Sequence, residues 1–588
     1  MIPDLLDIAT LRAGFAAGAF TPGELVDEVY DRIEAYRDPA VFIALRPRAA
    51  ARDEAMAADP SLPLAGLPFA VKDNIDVAGM PTTAGCPDFA YTPGRDAAVV
   101  GRLRAAGAVP IGKTNLDQFA TGLNGTRSPH GAPRCVFDER YISGGSSSGS
   151  AVAVAAGLAV FSLGTDTAGS GRVPASFNNL VGLKPTRGLL PASGVVPACR
   201  SLDCVSVFAN AAADAATVLA VAQGVDAEDP YSRAPATVAL PARPRVGILR
   251  AEERVGGNEA GYAALYARSC AVAEGLGWTL VEIDDAPFRA AASLLYEDAF
   301  VAERLSALRG FFAQSPEAFD PAVRAILERA RGFDAADLFD AQTRLMGLRR
   351  QAGAELAKVD ALLLPTAPEI FTVAAMLEAP IALNAALGRY TNFVNLLDMA
   401  AVAVPAGFRA DGLPFGVSLI GPAFSDAALL ALGDALHRAG SPGCGVSRRA
   451  APGALAMPEA ARISIVVAGA HLSGMALNHE LTALGARLEE ATATAADYRL
   501  YALATAPAKP GLVRAPGFAG PGIAVERWSL SPAEFGRFVA GVPGPMTIGQ
   551  VTLADGRRFA GFLCEPAALE GAREITGFGG WRAYLAAA

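Results

Sequence analysis

Histidine is scarce in this chain of 588 residues, occurring at four positions: His130, His437, His471 and His479. A Ser-His-Asp hydrolase needs an imidazole base, and most zinc hydrolases need two or three imidazole ligands. The stretch before His437 contains His130 alone. Hydrolytic chemistry in that part of the chain is therefore predicted to use another base, and no metal site is indicated.

Long apolar runs are also missing, although 52% of the residues are hydrophobic. A membrane helix needs about 20 apolar residues. The longest candidate, Ala151 to Leu163, is too short and leads into Gly164. The N-terminus carries Asp4 and Asp7 where a signal peptide has a positive region. A cytoplasmic protein without a membrane partner is predicted.

Paired cysteine motifs and basic stripes are absent as well. The seven cysteines are scattered and never form CxxC, so neither a disulfide framework nor a zinc knuckle is indicated. The net charge is −9, whereas nucleic-acid binding needs clustered Lys and Arg. The expected partner is a small molecule rather than nucleic acid.

Hydrophobic patterning divides the chain into two domains. The first sixty residues have helical spacing, and from Leu67 onward short apolar runs alternate with Gly-rich loops and helix-like segments. This alternation predicts an α/β fold, a mixed β-sheet flanked by helices, over residues 1–439. A Pro/Gly-rich linker is predicted over 440–462 and a smaller α+β domain over 463–588. In that second domain Asp555-Gly556 predicts a β-hairpin.

Three segments of the first domain carry nucleophilic or basic side chains. Lys72 follows an apolar strand-like run, Ser146 lies in the Gly-rich turn YISGGSSSGS, and Ser170 follows Gly169 in GTDTAGSGR. Taken singly, each is more often structural: a surface lysine, a helix start, an ordinary loop. Together they fit a relay, because burial can lower the pKa of a lysine until it acts as a base and serine can pass on a proton.

The motifs AVKDNIDVAGMPTTAG, GKTNLDQFATG, GGSSSGS and GTDTAGSGRVPA resemble the amidase signature family, through about Arg438. This resemblance implies a Ser-cis-Ser-Lys triad, with Lys72 as the base, Ser146 as the bridging serine and Ser170 as the nucleophile. It also implies an oxyanion hole built from the backbone N–H groups of Thr167, Ala168 and Gly169.

Further segments, including LLYEDAFVAERL and GAHLSGMALNHEL, resemble the allophanate hydrolases of this family. The implied substrate is an anion, so a guanidinium should hold its carboxylate. Tyr296 and Arg304, eight residues apart, are predicted on one face of a single helix as substrate contacts. Gly122 and Asn124 are predicted as further polar contacts.

The same resemblance implies a function for the second domain, with a fold like that of gamma-glutamyl cyclotransferases. In the allophanate hydrolases that this chain resembles, the first domain releases ammonia and the second promotes decarboxylation of the product. His471, Lys509 and Arg514 are its candidate residues, although a lone histidine is often structural and the domain could serve only to orient or assemble the protein.

A homodimer and a functional link to a separate biotin-dependent urea carboxylase, in urea degradation, are also implied, with no metal or organic cofactor. Two alternatives stay open at this point: an amidase for another small acid amide, such as malonamate or biuret, and a catalytically silent scaffold or binding subunit.

Overall fold

The computed structural model describes residues 2–253, 260–450, 452–458, 462–506 and 508–587. It divides into two compact units, Met1–Pro458 and Glu459–Ala588. Each unit has its own hydrophobic core. The two are described separately below.

The larger unit is built on one mixed sheet with helices packed against it. Its strands are β1 Phe42–Leu45, β2 Pro68–Lys72, β3 Val109–Thr114, β4 Arg134–Cys135, β5 Asp138–Ile142, β6 Phe161–Asp166, β7 Val181–Lys184, β8 Cys204–Ala209, β9 Arg245–Leu249, β10 Thr279–Ile283, β11 Ala361–Pro365, β12 Met399–Phe408 and β13 Pro414–Pro422. Its helices are α1 Ile8–Ala16, α2 Pro22–Ala35, α3 Arg48–Ala57, α4 Ala98–Ala105, α5 Ser148–Ala155, α6 Val173–Phe177, α7 Ala212–Ala222, α8 Ala260–Gly275, α9 Ala286–Glu297, α10 Ala302–Gln314, α11 Pro321–Ala330, α12 Ala335–Leu356, α13 Val373–Glu378, α14 Ala382–Leu387, α15 Phe393–Leu396 and α16 Asp426–Gly440.

Eleven of the described strands form the large sheet, in the order β1, β3, β2, β6, β8, β7, β12, β13, β11, β9, β10. The pairs β3/β2, β2/β6, β11/β9 and β9/β10 are parallel and the other neighbours are antiparallel. The prediction of a mixed sheet flanked by helices is confirmed. Strands β2, β6 and β8 are buried along their whole length, so the side chains on both of their faces lie in the interior.

The opening helices form as their spacing predicts. Helix α2 begins with a capping box, in which Thr21 and Glu24 satisfy each other's backbone N–H groups, and it buries Leu25, Val26 and Val29. Helices α1 and α3 add Leu11 and Ala51 to the same core. These N-terminal helices therefore cover the sheet instead of forming a domain of their own.

The segment predicted as a linker is partly packed. Beyond α16, the Asn179 amide donates to the carbonyls of Gly443 and Gly445, and Cys444 is fully buried. Asp434 accepts from the backbone N–H of Leu455. The segment up to Leu455 thus belongs to the larger unit, while positions 451 and 459–461 of the predicted linker lie outside the described residues.

The smaller unit has a five-stranded and a three-stranded sheet. Its strands are β14 Ile463–Val467, β15 Arg487–Ala493, β16 Tyr498–Ala502, β17 Pro510–Arg514, β18 Ala524–Leu530, β19 Met546–Thr552, β20 Arg558–Cys564 and β21 Arg573–Glu574, and its helices are α17 Asn478–Ala483, α18 Pro532–Ala540 and α19 Trp581–Ala587. The sheet orders are β15, β18, β14, β20, β19 and β17, β16, β21. The predicted hairpin is present, since Thr552 pairs with Arg558 across Asp555-Gly556 and Gly556 has φ +86°. The likeness to a gamma-glutamyl cyclotransferase fold stays a prediction.

Across the described part of the chain, no helix combines the length and the apolar character needed to cross a bilayer.

Candidate active site

Lys72 ends the buried strand β2, so its ammonium group is carried into the protein interior. Its Nζ donates to Ser146 Oγ at 2.8 Å and to Thr165 Oγ1 at 2.7 Å. The side chain is completely buried, and burial lowers the pKa of Lys72 to about 7 against the opposing effect of nearby carboxylates, of which Asp117 is the strongest. A substantial fraction of this lysine is therefore neutral at physiological pH.

Ser146 lies in the glycine-rich turn immediately before α5, and the Gly145-Ser146 peptide bond is cis. Gly145 has no room for a side chain, because a Cβ there would overlap Asp117 Oδ2. The next residue, Ser147, ties this turn to β6: its hydroxyl donates to the Thr165 carbonyl at 3.1 Å and accepts from the Thr165 N–H. Ser146 is thereby held between the β2 lysine and the end of β6.

Ser170 lies in the turn that follows β6 and is 2% exposed. Its hydroxyl donates to the carbonyl of Gly122 at 3.3 Å, and it makes no hydrogen bond with Ser146 in this structure. Lys72 and Ser146 are thus in direct contact, while Ser170 faces the neighbouring loop.

Asp166 organises the turn that carries Ser170. Its carboxylate accepts from the N–H of Gly169 at 2.8 Å and of Gly171 at 3.0 Å, and it forms a two-point ion pair with buried Arg172. Burial is the largest single influence and raises the pKa of this carboxyl, but the charge and hydrogen bonds of Arg172, the charge of Lys184 and the Gly171 N–H together outweigh it, and the pKa lies below its usual value. The Gly169 N–H already donates to Asp166, so an oxyanion would have to compete for it; the roles of Thr167, Ala168 and Gly169 in an oxyanion hole stay predictions.

A second, partly buried carboxylate, Asp203, also holds this turn. It accepts from Thr167 Oγ1 at 2.5 Å and from the N–H groups of Ala198 and Cys199. Burial raises the pKa of Asp203 to about 6, although these hydrogen bonds oppose the rise. Asp203 therefore fixes the position of Thr167 three residues before Ser170.

The loop of Gly122 and Asn124 is folded around Asp117. Asp117 accepts from the N–H groups of Asn124, Gly125 and Arg127 at 3.0–3.2 Å, and its own N–H donates to the Ser146 carbonyl. Gly122 lies beside Ser170, as a substrate-contacting position should. The Asn124 side chain instead donates to Asn384 and accepts from Thr126, so a substrate contact by Asn124 would compete with these bonds.

Tyr296 and Arg304 are in contact, but not on one helix. Tyr296 lies in α9 and Arg304 in α10. The helix is interrupted between them at Asp298, whose backbone is extended and whose side chain caps the following turn. The single-helix prediction is wrong. Arg304 Nη2 still donates to the Tyr296 hydroxyl at 2.9 Å, and Nη1 donates to Thr121 Oγ1 at 3.0 Å. Arg304 is 1% exposed, which leaves a buried guanidinium near the loop of Gly122.

In the smaller unit, His471 and Lys509 line one cavity, together with Leu512, Met546 and Phe562 among other residues. His471 stacks on Phe562, and its Nε2 lies 2.9 Å from Glu480 Oε2. The predicted third member, Arg514, is exposed and pairs with Asp497 instead. The structure therefore brings two of the three predicted residues together.

Three contributors escaped sequence reasoning: Thr165, Asp117 and Asp203. Thr165 and Asp117 lie inside the recognised motifs GTDTAGS and GKTNLDQFA, where their polar type next to glycines was an available signal. Asp203 joins the site from β8 only through the sheet, where its neighbour Cys204 pairs with Asp166. No local pattern in SLDCVS marks it.

Each of the two units matches a known protein family. The family model described as Amidase matches residues 24–430, and the one described as Allophanate hydrolase C-terminal domain matches residues 463–586. The urea amidolyase of Lachancea kluyveri is 45% identical over 544 residues, which are 89% of this chain and 30% of that protein. The urea amidolyase of Saccharomyces cerevisiae is 43% identical over 546 residues, again 89% of this chain and 30% of that protein.

Among solved structures, the allophanate hydrolase of Kluyveromyces lactis matches with a TM-score of 0.79 and 41% identity, covering 99% of both chains. This chain thus spans less than a third of the curated urea amidolyases it matches and the whole of that structure.

Proposed function

Because this chain belongs to the amidase family, we propose that it hydrolyses the terminal amide of allophanate, releasing ammonia and N-carboxycarbamate. The observation that carries the proposal is the contact between the buried Lys72 amine and the Ser146 hydroxyl, in the same unit that contains Ser170. A catalytically silent scaffold would have no reason to bury an amine with a pKa near 7 on a serine.

The reaction begins when neutral Lys72 takes the proton of Ser146. Ser146 in turn takes the proton of Ser170, whose oxygen attacks the amide carbonyl. For this step the Ser170 hydroxyl leaves the Gly122 carbonyl and turns toward Ser146. The relay then returns the proton to the leaving nitrogen, the C–N bond breaks and ammonia departs. Water hydrolyses the acyl-enzyme through the same groups and restores Ser170.

Negative charge on the carbonyl oxygen is stabilised in the tetrahedral intermediate by the backbone N–H groups of Thr167 and Ala168. The anchoring of Thr167 by Asp203 supports this role, since pre-positioned donors are worth a few kcal/mol each.

Recognition of the substrate carboxylate is assigned to Arg304, with Tyr296 orienting its guanidinium. Burial lowers the pKa of Arg304, but Tyr296 and nearby Cys199 and Asp203 outweigh this and hold the pKa above its usual value, so the group stays charged. A desolvated guanidinium favours an anionic substrate over a neutral one. The choice of allophanate among small anions rests on the second matched domain and on the likeness to the K. lactis enzyme over its full length.

The smaller unit then promotes loss of carbon dioxide from N-carboxycarbamate. His471, oriented by Glu480, supplies a proton to the carbamate nitrogen, and Lys509 attracts the dianion to the cavity. Because the other lining residues are largely apolar, a charged ligand in this cavity would depend on Lys509 and His471 for its partners.

In this proposal a biotin-dependent urea carboxylase supplies allophanate, so the chain acts in urea degradation. The homodimer and the cytoplasmic location stay predictions.

The proposal is tested by measuring ammonia from purified protein incubated with allophanate, biuret, malonamate or glutamine. We expect turnover of allophanate to exceed that of the other three amides. Ser170→Ala should lower kcat by about 10⁴-fold or more, whereas Ser61→Ala, at an exposed serine, should not change it. Preference for biuret or malonamate would contradict the substrate assignment, and full activity of Ser170→Ala would contradict the nucleophile.

A further inference from the structure

Two guanidinium groups of the larger unit pair with a single carboxylate, Asp398, and a third guanidinium lies near enough to feel their charges. Arg187 Nε lies 3.3 Å and Arg233 Nη1 2.9 Å from Asp398 Oδ1. Arg349 reaches the same place from α12, where its Nε and Nη2 both donate to the carbonyl of Leu396, at 3.1 and 2.6 Å. The cluster therefore carries two positive charges more than its own carboxylate balances.

The charged groups of this cluster are partly buried rather than fully exposed. The side chains of Arg187, Arg233 and Asp398 are 23%, 34% and 31% exposed. Burial lowers the pKa of Arg349, and the charge of Arg187 lowers it further, with only Asp398 opposing. Like charges held together with reduced solvation repel each other, and a bound anion would relieve that repulsion.

Each guanidinium also keeps N–H groups that donate to no acceptor among the residues that the structure describes. Arg187 donates from Nε to Asp398 and from Nη1 to the Ser201 carbonyl, so its Nη2 has no partner among the described residues. Arg349 donates from Nε and Nη2, so its Nη1 likewise has none. Arg233 lies over the Phe424 ring at 4.3 Å and keeps Nε and Nη2. Guanidinium edges are well suited to the oxygens of carboxylates and phosphates.

We propose that Arg187, Arg233 and Arg349 form a binding site for a small oxyanion, distinct from the substrate site at Arg304. The shared ligand chemistry is two or three oxygens carrying one or two negative charges. Bicarbonate and inorganic phosphate both satisfy it. The site does not depend on the function proposed above.

The arginine cluster is linked to the turn of Ser170 through one short helix. Leu396, whose carbonyl accepts from Arg349, ends α15, and the preceding Asn395 donates to the carbonyls of Asp166 and Leu202, both at 2.7 Å. An anion bound at Arg349 is therefore connected, through the hydrogen bonds of Arg349 to Leu396, to the element that supports Asp166. We expect occupancy of the site to change kcat rather than to compete with substrate.

Calorimetric titration of the full chain with sodium phosphate and, separately, sodium bicarbonate, at constant ionic strength, tests the proposal. We expect dissociation constants of about 1 mM or below for at least one ion, weakened about tenfold or more by Arg349→Gln and by Arg233→Gln. Arg350→Gln, an exposed neighbour on α12, is the matched control and should bind as the wild type does. Circular dichroism identifies any variant that fails to fold, in which case the other variant decides.

Two results would overturn the site. One is the absence of binding by either ion, or binding that neither Arg349→Gln nor Arg233→Gln weakens. The other is binding that Arg304→Lys abolishes and that raises KM without changing kcat, since the anion would then occupy the substrate site. Tighter binding of bicarbonate or of phosphate identifies the source of the oxyanion, and either one supports the proposal.

Discussion

At the scale of single residues, the proposed base is Lys72, and its surroundings set the pH range in which it is neutral. Burial lowers the pKa of Lys72 to about 7, so its charged form grows as the pH falls below that value. A protonated lysine cannot accept the proton of Ser146. We therefore expect kcat/KM to fall about tenfold per pH unit below pH 7 and to level off above it, in a pH–rate profile measured between pH 5 and 9.

Thr165 separates this assignment from other causes of a pH profile. Its hydroxyl accepts a hydrogen bond from the Lys72 ammonium, so Thr165→Val should disfavour the charged form and shift the acidic limb to lower pH. Thr217→Val, at a threonine of α7 bonded to the Ala213 carbonyl, should leave the limb in place. A limb unmoved by Thr165→Val would argue that another group titrates.

Arg304 offers a test of charge recognition. Arg304→Lys keeps the charge but loses the planar fork that pairs with a carboxylate, and we expect kcat/KM for allophanate to fall about 100-fold, as loss of a charge-assisted pair of roughly 2–3 kcal/mol requires. For uncharged biuret, turnover or inhibition should change less than about threefold. Equal losses for both compounds would indicate damage to the site rather than lost recognition. Tyr296→Phe should give a smaller effect in the same direction, because it removes one hydrogen bond.

At the scale of elements, the loop of Gly122 depends on one carboxylate. Asp117 Oδ1 accepts from Arg127 N–H, and Oδ2 accepts from Asn124 and Gly125. Asp117→Asn would place an amide donor against these N–H groups. We expect the free energy of unfolding to drop by about 2–3 kcal/mol in urea titrations and kcat to fall, since the loop lies against Ser170.

Asp138→Asn serves as the control, because Asp138 pairs with the exposed Arg140 at the surface. A surface ion pair is worth less than about 1 kcal/mol. If the two variants lost the same stability, the loop would not depend on Asp117 as described.

What the sequence predicts at this scale depends on how local the determinant is. The hairpin at Asp555-Gly556 follows from two residues and their backbone preferences, so its position was predictable. The break between Tyr296 and Arg304 was missed because an eight-residue spacing fits two helical turns equally well. Asp298 could have indicated the break, because aspartate is favoured at the N-cap of a new helix. Its ion pair with Arg344, however, depends on the tertiary fold.

The site itself divides in the same way. Lys72, Ser146 and Ser170 could be recognised because each lies in a motif of its own segment. Asp203 reaches Thr167 only when the sheet is assembled. The same holds for Asn384 and Asn124, which are in contact although 260 residues separate them. No periodicity or composition encodes such a pairing.

At the scale of the whole molecule, two separate cores predict two separable reactions. A chain ending at residue 458 should release ammonia from allophanate at a rate within about threefold of the full chain, while carbon dioxide appears more slowly. Parallel assays of ammonia and carbon dioxide measure the two steps. Equal slowing of both products would argue against a decarboxylating role for the smaller unit.

The matched point variants keep the full chain. His471→Ala should slow carbon dioxide release alone, whereas His479→Ala should not, because among the described residues that exposed side chain bonds only to the Ala476 carbonyl. No difference between the two variants would leave His471 with a packing role against Phe562.

The burial of Lys72 also decides how the protein responds to amine-directed chemistry. An amine with a pKa near 7 reacts readily with acylating reagents at neutral pH, yet this one has no exposed surface in the folded state. Its modification therefore requires local opening of the protein. The rate at which Lys72 is labelled, followed by mass spectrometry, therefore reports the rate of that opening. A ligand that holds the site closed should lower the labelling rate without contacting the amine.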